Sequence, residues 1–277
     1  MNIAALRLVL LLPGLAFIAV SFILPLLWLL SISFSSQEMP GVTTATYAQV
    51  LFDPFYWRLA GNTLWLSALV AVIAVILSYP LGLFLARTQS KWRGVLATLA
   101  IAPLLTSTVV RTYGWMIILG DQGLINSTLK SMGLIERPFA LANNFIGAVI
   151  ALVEILMPYA VLAIVSGLGK LKPEHEEAAA LHGADRLRVF TRVILPLSFP
   201  AIMTALLLVF VLAISSFVTP RLMGGGRVFV FGTEIFNEST VTLNWPLAAV
   251  LSILLLALFA LVMTLYSRLM RNMEEPA

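Results

Sequence analysis

Apolar residues in this chain come in long unbroken runs. They follow neither the three-and-four spacing of an amphipathic helix nor the alternation of a half-buried strand. Six stretches reach about 20 residues, the length a helix needs to cross a hydrocarbon core. They run over 8–31, 62–86, 94–119, 144–168, 197–219 and 246–267. The pattern predicts an all-α membrane protein of six transmembrane helices, with residues 1–277 as a single transmembrane domain. Pro13, Pro25, Pro80, Pro103 and Pro158 fall inside these runs. They would break soluble helices, but neighbours in a membrane bundle can satisfy the freed carbonyls. Arg7 ahead of the first run suggests a signal peptide. The run is too long for one, and no small-x-small site follows Ser31-Ile32-Ser33-Phe34, so a retained helix is expected.

Composition agrees with the pattern. Of 277 residues, 60% are apolar and 11% charged, against about 45–50% and about 25% in soluble domains. Water-soluble enzymes and nucleic-acid binders are thereby poor candidates. The net charge of +4 matters less than where lysine and arginine stand, because they set orientation. The N-terminus, 87–93, 169–196 and 268–277 hold eleven of them: Arg7, Arg87, Lys91, Arg93, Lys170, Lys172, Arg186, Arg188, Arg192, Arg268 and Arg271. Segments 32–61, 120–143 and 220–245 hold five: Arg58, Lys130, Arg137, Arg221 and Arg227. Arg111 lies within a run and completes the 17. This bias predicts both termini in the cytoplasm. Trp57, Trp65, Trp115 and Trp245 then fall near outer ends of spans, as an interfacial belt requires. The outer loops carry turn residues and aromatics, such as 53–57, 224–226 and 244–246, and read as folded.

Candidate chemistry is sparse. With no cysteine there are no disulfides and no thiolate ligands. His175-Glu176-Glu177-Ala178-Ala179 begins like a zincin motif but has alanine where the second histidine must stand. Gly167-Leu168-Gly169-Lys170-Leu171 lacks both the first glycine and the hydroxyl of a phosphate loop. No catalytic group, metal site or resident cofactor is expected. Two ionisable residues lie within the runs, Arg111 and Glu154. A charge there is costly and faces a cavity or a partner. Counted from the outer ends of antiparallel spans, their depths differ by roughly 3 Å. They form either a pair, or a site where Glu154 lines a path for a cationic solute. Tyr113, Tyr159 and Asn143 are weaker lining candidates.

The most informative stretch is 170–196, KLKPEHEEAAALHGADRLRVFTRVILP. Pro173 suits a first helical turn, and Glu174, Glu176 and Glu177 favour the positive end of that helix. Gly183 can end it in the left-handed conformation. Asp185 can cap a second short helix with Leu187, Phe190 and Val193 on one stripe. Pro196 leads into the fifth run. The result is two short helices with a glycine bend, presenting a small apolar face and a charged rim suited to a partner's groove.

Glu177-Ala178-Ala179, then Gly183, then Val193-Ile194-Leu195-Pro196 resembles the EAA motif of bacterial ABC-importer permeases, E-A-A-x3-G-x9-I-x-L-P. Valine for isoleucine is the one departure. Asn62-Thr63-Leu64, Tyr79-Pro80, 110–115, 217–220 with 224–226, and Trp245-Pro246 resemble the polyamine-type subfamily, most of all the first permease subunit of spermidine/putrescine importers. The resemblance implies a bacterial inner-membrane location and a pathway shared with a second, distinct permease subunit. It also implies two ATPase subunits that carry ATP and magnesium, and a periplasmic solute-binding protein. Glu177, Ala178, Ala179, Gly183, Leu187, Phe190 and Pro196 would then belong to the ATPase-coupling loop. The rival readings are a secondary transporter or channel for a small cation, for which one intramembrane carboxylate is a thin supply, and an intramembrane enzyme, for which the spans hold no nucleophile with a base.

The charge bias is tested with cysteines placed at Ser131 and Ala184 in this cysteine-free chain. In intact spheroplasts an impermeant maleimide should label position 131 and spare 184. The reverse pattern would invert the topology.

Overall fold

The computed structural model describes residues 3–35, 41–169, 171 and 174–274. Lys170, Lys172 and Pro173, with which the expected coupling loop begins, lie outside the described residues. The elements are helices: α1 (Ile3–Ile18), α2 (Leu24–Ser33), α3 (Ala45–Phe52), α4 (Pro54–Arg87), α5 (Trp92–Ile101), α6 (Thr108–Leu119), α7 (Leu124–Ser131) and α8 (Phe145–Leu168). Then come α9 (Glu174–Leu181), α10 (Arg186–Val189), α11 (Leu195–Leu197), α12 (Phe199–Ile214), α13 (Val218–Met223), α14 (Phe231–Thr240) and α15 (Trp245–Glu274). Among the described residues there is no strand.

Among the described residues, four helical stretches are long and apolar enough to cross a membrane: Leu11–Ser33, Pro54–Arg87, Phe145–Leu168 and Trp245–Met270. They coincide with the first, second, fourth and sixth expected spans. The other two are not straight. Trp92–Leu105 and Thr108–Ser131 diverge by 100°, and Arg186–Leu197 and Phe199–Ile214 by 58°. The span count is therefore four, or six if each bent pair crosses once. The expected third span, 94–119, breaks where Ala102–Leu105 tightens to a 3₁₀ turn around Pro103 and Thr106 turns extended. The expected fifth span, 197–219, breaks at Ser198 between Pro196 and Pro200 and ends at Ile214, with 218–223 as a separate helix.

Proline explains two further irregularities. The turns Ala19–Ile23 and Phe190–Ile194 are π-helical, and each precedes a proline, Pro25 and Pro196. The N–H just before each proline reaches back five residues, Leu24 to Ala19 and Leu195 to Phe190. A wider turn moves aside the carbonyl that the pyrrolidine ring would strike.

The chain divides into two compact units. One comprises Met1–Arg58 and Glu234–Ala260. In it the Ser33 hydroxyl and Tyr47 OH lie 2.8 Å apart, and the rings of Phe34 and Tyr47 lie 5.2 Å apart, which ties α2 to α3. Asp53 accepts a hydrogen bond from the Phe55 N–H at the start of α4. In Leu11–Ser33, no residue of the most apolar window is buried.

The other unit comprises Leu59–Thr233 and Leu261–Ala277. Its core gathers Leu66, Val70 and Ala74 of α4, Leu152, Ala160 and Ile164 of α8, and Ala205 and Val209 of α12. The helices meet closely where side chains are absent. A methyl on Gly82 would stand 2.6 Å from Ile164 Cγ2, and one on Gly167 would overlap Ala201 Cβ and press on its Cα. Motif residues tie the helices together. Tyr79 OH and Ser198 Oγ lie 2.8 Å apart, Thr112 Oγ1 and Thr219 Oγ1 3.1 Å apart. Thr63 Oγ1 accepts the Phe231 N–H at 2.9 Å, and Asn62 Nδ2 donates to the Phe229 carbonyl.

The two glycine contacts differ in what can yield. Gly82 meets the branched side chain of Ile164, whereas Gly167 meets Ala201 down to its main chain. Gly167→Val should lower stability by about 1–3 kcal/mol, read as a drop in Tm of the purified protein in detergent. Gly82→Ala should cost less.

Candidate functional site

Two groups of residues carry the chemistry expected from sequence. The first lies among the spans. Arg111 and Trp115 stand four residues apart on α6, on one face, and both reach Glu154 of α8. Arg111 Nη2 lies 2.7 Å from Glu154 Oε1, and Trp115 Nε1 donates to Oε2 at 3.1 Å. Arg111 Nη2 also donates to the Glu154 main-chain carbonyl at 3.0 Å, and Nη1 to the Pro103 carbonyl at 3.2 Å.

Both carbonyls are near prolines for a reason. Pro158 has no N–H to give the carbonyl four residues before it, which is that of Glu154. Pro103 sits where the third span breaks, so its carbonyl leaves the α-helical ladder. One guanidinium thus supplies a helix acceptor orphaned by proline, a carbonyl at a chain break, and a carboxylate. Its planar fork of donors allows this geometry, which a lysine lacks. The Arg111 side chain is 10% exposed and that of Glu154 34%. The structure brings the two expected residues into direct contact, and Glu154 meets a cation and an indole of its own chain.

Trp115 corrects one expectation. Its indole N–H is committed to Glu154 rather than to an interfacial belt. Trp57, Trp65 and Trp245 remain largely exposed. Tyr113 is exposed and Tyr159 half-buried. Asn143 takes a positive φ of 57°.

The second group is the loop between α8 and α12. Glu174, Glu176 and Glu177 occupy the first turn of α9. Gly183 has φ +79°, and the Ala184 N–H reaches back to the Ala179 carbonyl at 3.2 Å, closing the helix end. His182 Nδ1 lies 2.8 Å from the Ala178 carbonyl. The Asp185 carboxylate accepts the Arg188 N–H at 2.8 Å and caps α10. Ala179, His182, Gly183, Ala184, Arg188 and Arg192 line a depression of about 290 Å³. Glu177 and Ala178 are exposed, and so is Leu187.

The apolar stripe expected over Leu187, Phe190 and Val193 is split. Leu187 points outward, while Phe190 packs edge-on to Tyr79 with ring centroids 6.3 Å apart. Pro196 lies in the one-turn helix α11. The acidic residue of α9 with a partner in this chain is Glu176, which meets Arg87 at 2.5 Å. Sequence reading placed neither Arg87 nor Glu176 in a site. The signal was a cation at the last residue of a span, within reach of an acidic first turn.

A carboxylate pair outside the spans lies on α14. Glu238 is buried and accepts from Thr242 Oγ1 at 2.7 Å. Burial, and then the charge of Glu238, raise the Glu234 carboxyl above its ordinary range.

Comparison with known proteins adds to this geometry. Residues 78–275 match the family described as "Binding-protein-dependent transport system inner membrane component". The chain is 33% identical over 251 residues to the spermidine/putrescine transport system permease protein PotB of Haemophilus influenzae, covering 89% of this chain and 87% of that protein. It is 31% identical to PotB of Escherichia coli (strain K12), covering 91% and 93%. Among solved structures it is similar to a bacterial ABC transporter involved in the import of the acidic polysaccharide alginate. The TM-score is 0.83 at 18% identity, covering 98% of this chain and 96% of that one. A second alginate transporter structure, in complex with a pentasaccharide-bound periplasmic protein, gives 0.78 at 17% identity over the same shares. At these identities the structures share the fold.

The arrangement sets an order of sensitivity. Arg111→Gln strips donors from three acceptors on two segments and should cost about 3–5 kcal/mol. Glu154→Gln keeps an acceptor for the guanidinium and should cost about 1–3 kcal/mol. Tm and monodispersity in detergent report the difference, and equal losses would contradict the clamp.

Proposed function

This chain belongs to the binding-protein-dependent transport system inner membrane components, the permeases of ABC importers, and from that premise we propose that it forms half of the pathway of a bacterial importer for a polyamine or a related small organic solute. In this proposal a second permease chain completes the pathway, and a periplasmic binding protein delivers the solute. Two ATPase subunits hold ATP and magnesium. Both termini and the 170–196 loop face the cytoplasm, and the bent segments complete six spans.

The observation that carries the reading is the geometry of 174–189. A helix with exposed Glu177 and Ala178 ends at a left-handed glycine, and a capped helix follows at once. Ala179, Gly183 and Ala184 are among the residues that line the depression beside them. Such a surface admits the close approach of another protein, and the arginines that line it offer directional charged contacts. The loop joins two membrane-crossing segments, so force applied there reaches the spans. The polyamine assignment is supported by the identity to the two PotB chains over about nine tenths of this one. Glu154 gives it no support, because its carboxylate is already met by Arg111 and Trp115.

Two measurements test the proposal. The complex assembled from this chain and its cognate subunits should take up labelled spermidine or putrescine only with ATP and the loaded binding protein. Gly183→Val forces a β-branched residue into φ +79°, a region closed to it. It should insert normally, reduce uptake by about tenfold or more, and retain the ATPases poorly on purification. Undiminished uptake with full ATPase retention would remove the coupling role of the loop.

A further inference from the structure

The coupling loop is fastened at its entry and at its exit to one helix. At the entry, Arg87, the last residue of α4, places Nη2 2.5 Å from Glu176 Oε1 in the first turn of α9. Its Nη1 donates to the Leu171 carbonyl at 3.0 Å. The two side chains are 23% and 27% exposed, so this is no solvated surface pair. At the exit, Tyr79 of α4 packs edge-on to Phe190 and shares a 2.8 Å hydrogen bond with Ser198.

These contacts differ from those a docking surface needs. Glu177, Ala178 and Leu187 face outward, while Glu176, Phe190 and Ser198 face α4. The loop has one side for a partner and another for its own span. An arginine paired with a carboxylate and hydrogen-bonded to a carbonyl resists rotation as well as separation, because the two contacts act along different lines. Tyr79 adds a second anchor two turns away. From Leu59 to Arg87, α4 is one helix of roughly 40 Å, and it lies against α8 at Gly82 and Ile164. A displacement of α9 is therefore passed to α4 more directly than through the chain segment that joins α9 to α8.

We propose that α4 is the span that receives the movement of the coupling loop, with Arg87 as the positioning residue that makes the connection stiff. The proposal rests on the reading of 170–196 as the ATPase-coupling element and adds which membrane helix responds. Glu176 serves the span, and its neighbour Glu177 serves the partner.

The test uses the full complex of this chain with its cognate permease and ATPases, and needs no solute. Because the native chain has no cysteine, Trp65→Cys on α4 and Ser127→Cys on α7 take spin labels at two exposed positions. In the otherwise unaltered chain the label distance should shift when ATP and vanadate trap the ATPases. Arg87→Gln and Glu176→Gln, each in that background, should keep the ATPases bound yet lose the shift. Exchanging the pair, Arg87→Glu with Glu176→Arg, should restore it. A shift that persists in both single variants with ATPases bound would overturn the proposal, as would its absence in the unaltered complex. Loss of the ATPases from the single variants would also overturn it, by making the pair part of the docking surface. Failure of the underlying reading is separate: the unaltered chain would then purify without ATPases.

Discussion

Inside an apolar environment a main-chain carbonyl without a donor costs several kcal/mol, and this chain puts prolines inside its membrane segments. The Arg111 guanidinium meets one of the resulting demands and reinforces the break of the third span. It donates to the carbonyl that Pro158 leaves unpaired and to that of Pro103 at the break of the third span. Its charge is balanced by Glu154, whose second oxygen is held by Trp115. The kink, the proline in α8 and the intramembrane ion pair are thus one structural solution. Remove the arginine, and the Glu154 carbonyl loses this donor, while the Pro103 carbonyl keeps the Thr106 N–H. The two π turns solve the same problem differently, widening the helix ahead of Pro25 and Pro196.

Much of this was legible in the sequence. Hydropathy located Leu11–Ser33, Pro54–Arg87, Phe145–Leu168 and the last span to within a few residues, apart from polar extensions such as 54–61 and 268–274. Composition does not mark where a helix continues past an interface. Gly183 and Asp185 were readable because left-handed backbone and N-caps have narrow residue preferences. The breaks at 102–107 and at Ser198 were not, because proline within an apolar run is compatible with a straight, kinked or broken span. Depth counting made the Arg111–Glu154 contact geometrically possible. It could not show Trp115 joining, since an indole near a span end reads equally as a lipid anchor. Phe190 was placed on one stripe with Leu187, because its packing on Tyr79 depends on a distant helix that local periodicity does not register. Arg87 and Glu176 were invisible for a different reason: their meeting depends on how a span end and a loop helix fold back on each other.

The motif residues fall into two kinds once placed. Asn62, Thr63, Tyr79, Thr112 and Thr219 hold helices together by hydrogen bonds within this chain. Glu177, Ala178 and Gly183 lie on a surface that this chain leaves uncovered. The first kind preserves a scaffold that can serve many solutes, which fits a fold shared with alginate transporters at 18% identity. The second kind is the set on which the proposed docking rests. Solute preference follows from neither set, and the buried clamp around Glu154 narrows the polar surface from which it could come.

The balance of charge at Arg111 and Glu154 has an electrical consequence. A unit charge moved across the full membrane potential exchanges about 2.3 kcal/mol per 100 mV with the field. These are the two ionisable residues within the apolar runs, and they are in direct contact with opposite sign. When the cluster shifts along the membrane normal as a unit, the work done on one charge cancels that done on the other. Such a shift of the pair carries no net gating charge, and the membrane voltage does not tilt it.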